Sequence, residues 1–186
     1  MPHFILTGTP GAGKTAILRR LEVRGHAVVE EAATDVIALS QALGDPEPWR
    51  GPEFADHVVA LQQRRQHAVG RAAPGIVVFD RSPVCTLALS RYSGRPPSRR
   101  LLDEVERITA DRFYERTVFF VRNQGYVRRT AARRISLDDA LIFERIHEQT
   151  YRDQGFDLLE VPAGPLLERV TVVERALGTL SERPRP

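Results

Sequence analysis

The stretch "GTPGAGKT" (residues 8–15) follows the apolar run His3-Phe4-Ile5-Leu6-Thr7, and Lys14 within it is the only lysine of the chain. All the other cationic side chains among the 27 Lys and Arg are arginines. Gly8, Gly13, Lys14 and Thr15 fit the pattern G-x-x-x-x-G-K-[ST], placed where a strand would end and a helix begin. Glycines at such a turn let the backbone wrap closely and aim N–H groups inward at an anion. The positive end of the following helix adds to the attraction. An ammonium is compact enough to sit between the oxygens of two phosphates, whereas a guanidinium is wide and forked. A chain that uses arginine everywhere else therefore has a chemical reason to keep lysine here. Gly8, Thr9, Pro10, Gly11, Ala12, Gly13, Lys14 and Thr15 are expected to cradle the phosphates of ATP, with the Thr15 hydroxyl on Mg²⁺.

Working outward from this loop, short apolar runs alternate with longer amphipathic stretches. "HFILT" (3–7), "HAVVE" (26–30), "GIVVFD" (75–80), "RTVFFV" (116–121) and "FDLLEV" (156–161) read as strands that lack a clean polar alternation. Such strands are buried on both faces, as in a parallel sheet. Helical stretches separate them, including "SLDDALIFERIHEQTYRDQG", with Ser136 as its N-cap, Asp139 three residues on and Gly155 as its stop. The alternation predicts a three-layer α/β sandwich. "GDPEPWRGP" (44–52) and "SGRPPS" (93–98) read as loops, and residues 181–186 as a frayed tail after one domain spanning 1–180.

The totals bound the rest. A chain of 186 residues with 42% hydrophobic content suits one core, and no stretch reaches the ~18 apolar residues of a membrane span. The opening "MPHFILTGTPG" is too short and too soon glycine-rich for a secretory signal. The single cysteine, Cys85, excludes an internal disulfide and is read as a small apolar filler on a buried helix, so a cytoplasmic setting is expected. The net charge of +3 is mildly basic, which alone could mean a polyanionic partner such as nucleic acid or a phosphorylated small molecule. With the arginines spread along the chain, a solvated surface is the default reading, and nucleic acid is not the expected partner. The five histidines lack ligand spacing, and His147 is expected to be a partly exposed partner of Glu144 or Tyr151.

Three further groups carry chemistry. "GIVVFDRSP" ends a buried strand with Asp80, Arg81 and Ser82, and the carboxyl ends of parallel strands face the ligand crevice. Asp80 is expected to hold Mg²⁺, in part through a water, and Arg81 to bind the substrate or the moving phosphoryl group. "VVEEAATD" puts Glu30 and Glu31 at the end of the second strand, with Asp35 one turn on. Neighbouring strand residues point oppositely, so one of the two faces the phosphates; Glu31 is favoured as general base. "RNQGYVRRTAARRIS" (122–136) contains Arg122, Arg128, Arg129, Arg133 and Arg134. It reads as a cover over the phosphates spanning about 123–136, with Arg133 and Arg134 nearest the chemistry.

Taken together, "GTPGAGKT", "VVEEAATD", "LQQRRQ", "VFDRSP" and "RRISLDDALIFERIHEQTYRDQGFDLLEVP" resemble the small AAA-like ATPase/kinase domain family of bacterial P-loop proteins. That family is similar to the kinase domain that phosphorylates nicotinamide riboside, and more distantly to the deoxynucleoside kinases. The resemblance spans nearly the whole chain and implies a five-stranded parallel sheet in the order 2-3-1-4-5. It implies Glu31 as base, Asp80-Arg81-Ser82 as the acidic-Arg-Ser motif and Arg134 as the lid arginine. A substrate-contacting glutamine would be Gln62 or Gln63. Trp49 and Phe54 either line a substrate pocket or anchor their loop. The expected function is transfer of the γ-phosphoryl group of ATP to a hydroxyl of a nucleoside-like or other small acceptor. An ATPase or nucleotide switch acting on a protein, and a nucleic-acid-modifying enzyme, are the alternatives; a homodimer is compatible with all three.

Overall fold

The computed structural model describes residues 1–69, 75–125 and 136–181. The first apolar run is strand β1 (His3–Thr7), and the glycine loop delivers the chain into α1 (Lys14–Val23). Then follow β2 (Ala27–Val29), α2 (Ala32–Ala42), a 3-10 turn at Pro48–Arg50, α3 (Phe54–Val69), β3 (Val77–Asp80), α4 (Pro83–Tyr92) and α5 (Arg99–Ala110). The chain closes with β4 (Thr117–Val121), α6 (Leu137–Asp153), β5 (Asp157–Val161) and α7 (Leu166–Ser181). The five strands form one parallel sheet in the order β2-β3-β1-β4-β5. This is the expected sandwich and strand order.

Alternation along each strand decides what covers each face. Phe4, Leu6, Val78, Phe119 and Val121 point to one face, where they pack with Ile17, Leu18 and Leu21 of α1 and Val170, Val173 and Leu177 of α7. Ile5, Val77, Phe79 and Val118 point to the other, beneath Val59, Cys85, Leu101, Val105 and Tyr151 of helices α3 to α6. Sequence reading expects all five strands to be buried on both faces, and β1, β3 and β4 are, apart from a half-buried Thr117 at the start of β4. The edge strands β2 and β5 are mostly half-exposed, because each has a neighbour on one side only. A satellite cluster of Ala32, Val36, Phe54 and Val58, with Trp49 against it, joins α2 to α3. The candidate substrate residues Trp49 and Phe54 thus anchor this cluster.

The helix ends follow the sequence cues. Ser136 Oγ accepts the Asp139 N–H at 3.1 Å, and Gly155 takes φ 79° to end α6.

Register sets the position of the site. Leu6 pairs with Asp80 and Val29 with Phe79, so β1, β2 and β3 end level. Gly8 therefore begins its loop beside Asp80, and Glu31 starts the next segment on the far side of β3. Among the described residues, no helix is long and apolar enough to cross a membrane.

Candidate functional site: the phosphate loop and two strand ends

Gly8, Gly11 and Gly13 take φ of 140°, 87° and 85°, a left-handed region that disfavours any side chain. Gly8 is constrained in space as well, since a Cβ there would stand 2.3 Å from the Val121 carbonyl oxygen on β4. Gly13 is the N-cap of α1; no side chain caps that end and no acid lies in its first turn. The orphan N–H groups of α1 are thus open to an anion. Lys14, 5% exposed, donates from Nζ to the Thr9 carbonyl at 2.9 Å, which holds the ammonium inside the loop. Thr15 is exposed at the helix start.

Lys14, Asp80, Glu31 and Arg81 form one electrostatic unit. Burial, with Arg81 as a second cation, lowers Lys14 to about 8 in spite of the opposing pull of Asp80 and Glu31. Burial raises Asp80 to about 6 against the attraction of Lys14. Asp80 is 4% exposed, and its Oδ1 has no hydrogen-bond partner. A buried carboxylate oxygen left over in this way is a hard oxygen donor that fits a cation or a cation-bound water. Asp80 does not cap α4; Ser82 holds that position.

Arg81 sits at φ 72°, unusual for a residue with a side chain, and its N–H still pairs with the Leu6 carbonyl at 3.0 Å. This conformation turns the guanidinium across to Glu31, with Nε 2.5 Å from Oε1. The Thr34 hydroxyl donates to the other Glu31 oxygen at 3.1 Å. Burial opposes ionisation of Glu31, but Arg81 and Lys14 override it and hold the carboxyl below its ordinary range. The two other acids face elsewhere: Glu30 pairs with Arg19, and Asp35 with Arg65.

Gln62 of α3 is buried in a narrow cleft with Val29, Phe79, Asp80, Arg81 and Tyr114, and its Oε1 is unpartnered. The neighbouring Gln63 turns away to donate to Glu104 at 2.8 Å and to accept from Arg100 at 3.0 Å. The helical turn of 100° per residue separates them.

Below the loop lies a buried polar cluster that sequence reading missed. The Thr7 hydroxyl, one residue before Gly8, is 2.9 Å from His147 Nε2 and 2.9 Å from Cys85 Sγ. The Ser82 hydroxyl is 2.8 Å from that of Tyr151, which is 3.2 Å from Cys85 Sγ. The expectation of a partly exposed His147 is corrected: it is fully buried and stacked on Tyr151 with ring centroids 5.5 Å apart. It falls in the middle of the stripe that α6 turns to the sheet, with Phe143 and Tyr151 one turn either side. Burial, with Arg81 and Lys14 nearby, pushes its pKa well below the ordinary value and keeps the ring neutral. Cys85 is buried as expected, but it packs with polar partners as well as apolar ones.

Of the predicted cover, Arg122 is not a free lid arginine. It lies just past β4, where it pairs with Glu144, Glu148 and Glu160 and stacks over Phe120. Arg128, Arg129, Arg133 and Arg134 lie outside the described residues, as does the predicted tail beyond residue 181.

A glycine loop between the central strand and the first helix, flanked by an acid at the end of the next strand in a 2-3-1-4-5 parallel sheet, defines a P-loop domain of nucleotide-kinase type. More narrowly, a family model described as an AAA domain (AAA_28) matches residues 3–169, and the chain belongs to that family. No curated protein matches the sequence. Among solved structures, the chain is similar to deoxyadenosine kinase from M. mycoides with bound dATP, at 12% identity and a TM-score of 0.60, over 95% of this chain and 99% of that one. The same enzyme with products dCMP and a flexible dCDP gives 12% identity and a TM-score of 0.59 over the same shares. At this identity the likeness is one of fold.

Proposed function

We propose that the protein is an ATP- and Mg²⁺-dependent kinase that phosphorylates a hydroxyl of a small, nucleoside-like acceptor. The observation that carries this reading is the pairing of Glu31 with Arg81 beside Lys14 and Asp80, which sets a base, two cations and a metal-binding acid around one phosphate loop. The loop N–H groups and Lys14 bind the triphosphate tail, and Thr15 and Asp80 hold the metal. Bound Mg²⁺ would neutralise charge on the phosphate oxygens. Glu31 is held ionised, as a group that accepts the acceptor's hydroxyl proton must be. Arg81 holds that carboxylate in place and presents its guanidinium to charge developing on the transferred group. The narrow cleft with Gln62 and Tyr114 lies beside these groups, and an acceptor at its mouth would meet the buried Gln62 Oε1, which favours one that carries an N–H or O–H donor. Arg133 and Arg134 are assigned to the cover over the phosphates, as the sequence suggests.

The test is incubation with MgATP and a panel of nucleosides, ribosides and hydroxylated antibiotics, read by mass spectrometry. A phosphorylated acceptor formed in step with ADP supports the proposal. ATP hydrolysis intact with no acceptor modified argues for an ATPase or switch instead.

A further inference from the structure

We propose that Arg169 of α7 is a positioning residue for phosphate recognition: it clamps the phosphate loop from behind and ties it to the exit of β4. The proposal rests on the nucleotide-binding reading above.

Helix α7 shows an inverted pattern near its start. Arg169 is 4% exposed, whereas Leu167 is 58% exposed. Arg169 occupies the core stripe with Val170, Val173 and Leu177, where apolar patterning would put a leucine. A guanidinium is not buried there for packing alone, since burying charge is costly unless it is well hydrogen-bonded. Its Nη2 donates to the Ala12 carbonyl at 2.7 Å and to the Arg122 carbonyl at 3.3 Å. Its Nη1 reaches so close to Gly13 that a Cβ there would stand 2.8 Å from it.

These contacts have a physical logic. A loop that aims its N–H groups inward at phosphates turns carbonyls outward, and Ala12 is fully buried. Its outward carbonyl needs a donor, and a charged one gives the shorter and stronger bond. The same nitrogen reaches the backbone at Arg122, whose N–H is paired with Val161 at 3.0 Å. One guanidinium therefore fixes the loop's shape, brings a positive charge up behind the phosphate site, and joins the loop to the backbone at the end of β4. A lysine can keep the charge and one of the bonds but cannot offer the planar fork.

The test is isothermal calorimetry with MgATP and with tripolyphosphate on the wild type, Arg169→Met and Arg169→Lys, at a temperature well below each melting point. Hydrogen exchange of the peptide covering residues 8–15 is followed in parallel. Loss of the clamp predicts roughly tenfold or more weaker binding of both ligands by Arg169→Met, in equal measure because the defect lies in the phosphate cradle and not at the base. Arg169→Lys recovers part of this, and exchange rises at residues 8–15. Wild-type affinity in either variant, or a loss for ATP without one for tripolyphosphate, overturns the proposal. Should Arg169→Met not fold, Arg169→Lys carries the test alone: reduced affinity with faster loop exchange supports the clamp, and wild-type values refute it. If the wild type itself binds neither ligand, the failure is that of the nucleotide reading, and the clamp falls with it.

Discussion

Replacing Lys14 with methionine should make the protein more stable and unable to bind nucleotide, and the size of the first effect follows from the structure. The buried ammonium titrates near 8, against an ordinary value of 10.5. A difference of 2.5 units corresponds to roughly 3 kcal/mol that the folded state gives up to keep the group charged at pH 7. Methionine removes that cost with little change of shape, but leaves the Thr9 carbonyl without its ammonium donor, a loss of about 1 kcal/mol. The net gain of about 2 kcal/mol should raise the melting temperature by about 4–8 °C for a domain of this size. The sign with pH is fixed. Between 8 and 10.5 the unfolded chain holds the Lys14 proton more tightly than the folded one, so wild-type stability rises through that window and the advantage of the variant shrinks. Melting curves by circular dichroism at pH 7 and pH 10, with and without MgATP, measure both effects. The wild type should gain about 2.7 kcal/mol at a hundredfold excess over its dissociation constant, and the variant nothing. A variant that melts below the wild type at pH 7, or an advantage that does not shrink by pH 10, would refute the reasoning.

Other perturbations act on other parts of the site. Glu31→Gln keeps the shape but not the base, and should lower kcat by about 10²- to 10⁴-fold with ATP affinity held within about threefold; steady-state kinetics on an acceptor found in the panel checks it. For the free enzyme, kcat/KM should rise as Asp80 ionises near pH 6 and fall as Lys14 loses its proton near pH 8; a flat profile from pH 5 to 9 contradicts the assigned roles. Gly8→Ala should cost about 3 kcal/mol or more, since it meets the Val121 carbonyl as well as an unfavourable φ. Gly155→Ala, with a positive φ but nothing within 4 Å, should cost only about 1 kcal/mol in the same chemical denaturation series.

What sequence reading captures here is what repeats along the chain. The apolar runs at 3–7, 75–80 and 116–121 mark the central strands because burial on both faces leaves no room for polar alternation. The loop at 8–15 is recognisable because its chemistry demands glycines and a lysine at fixed spacing. Asp80 follows from ending a buried strand, and Glu31 from being one of two neighbouring acids, Glu30 and Glu31, just past the second strand. The sequence is silent where a residue's role depends on distant partners. His147 lies among charged neighbours in the chain, but α6 turns it inward onto Thr7 and Cys85, 140 and 62 residues away. Arg169 resembles any surface arginine until α7 docks beside α1. Arg122 belongs by sequence to an arginine-rich stretch, yet three glutamates from α6 and β5 hold it. Gln62 and Gln63 cannot be separated by composition; the helical rotation of α3 puts one in the cleft and the other against Glu104.

The central claim is that the γ-phosphoryl group leaves ATP for an acceptor hydroxyl poised at Glu31. The direct measurement is phosphorus NMR of the reaction with MgATP and the acceptor panel, following where the terminal phosphorus goes. The account predicts a new phosphomonoester resonance that grows in step with ADP and is lost in Glu31→Gln. Terminal phosphorus recovered solely as inorganic phosphate, or ATP left untouched beside every acceptor, would contradict it.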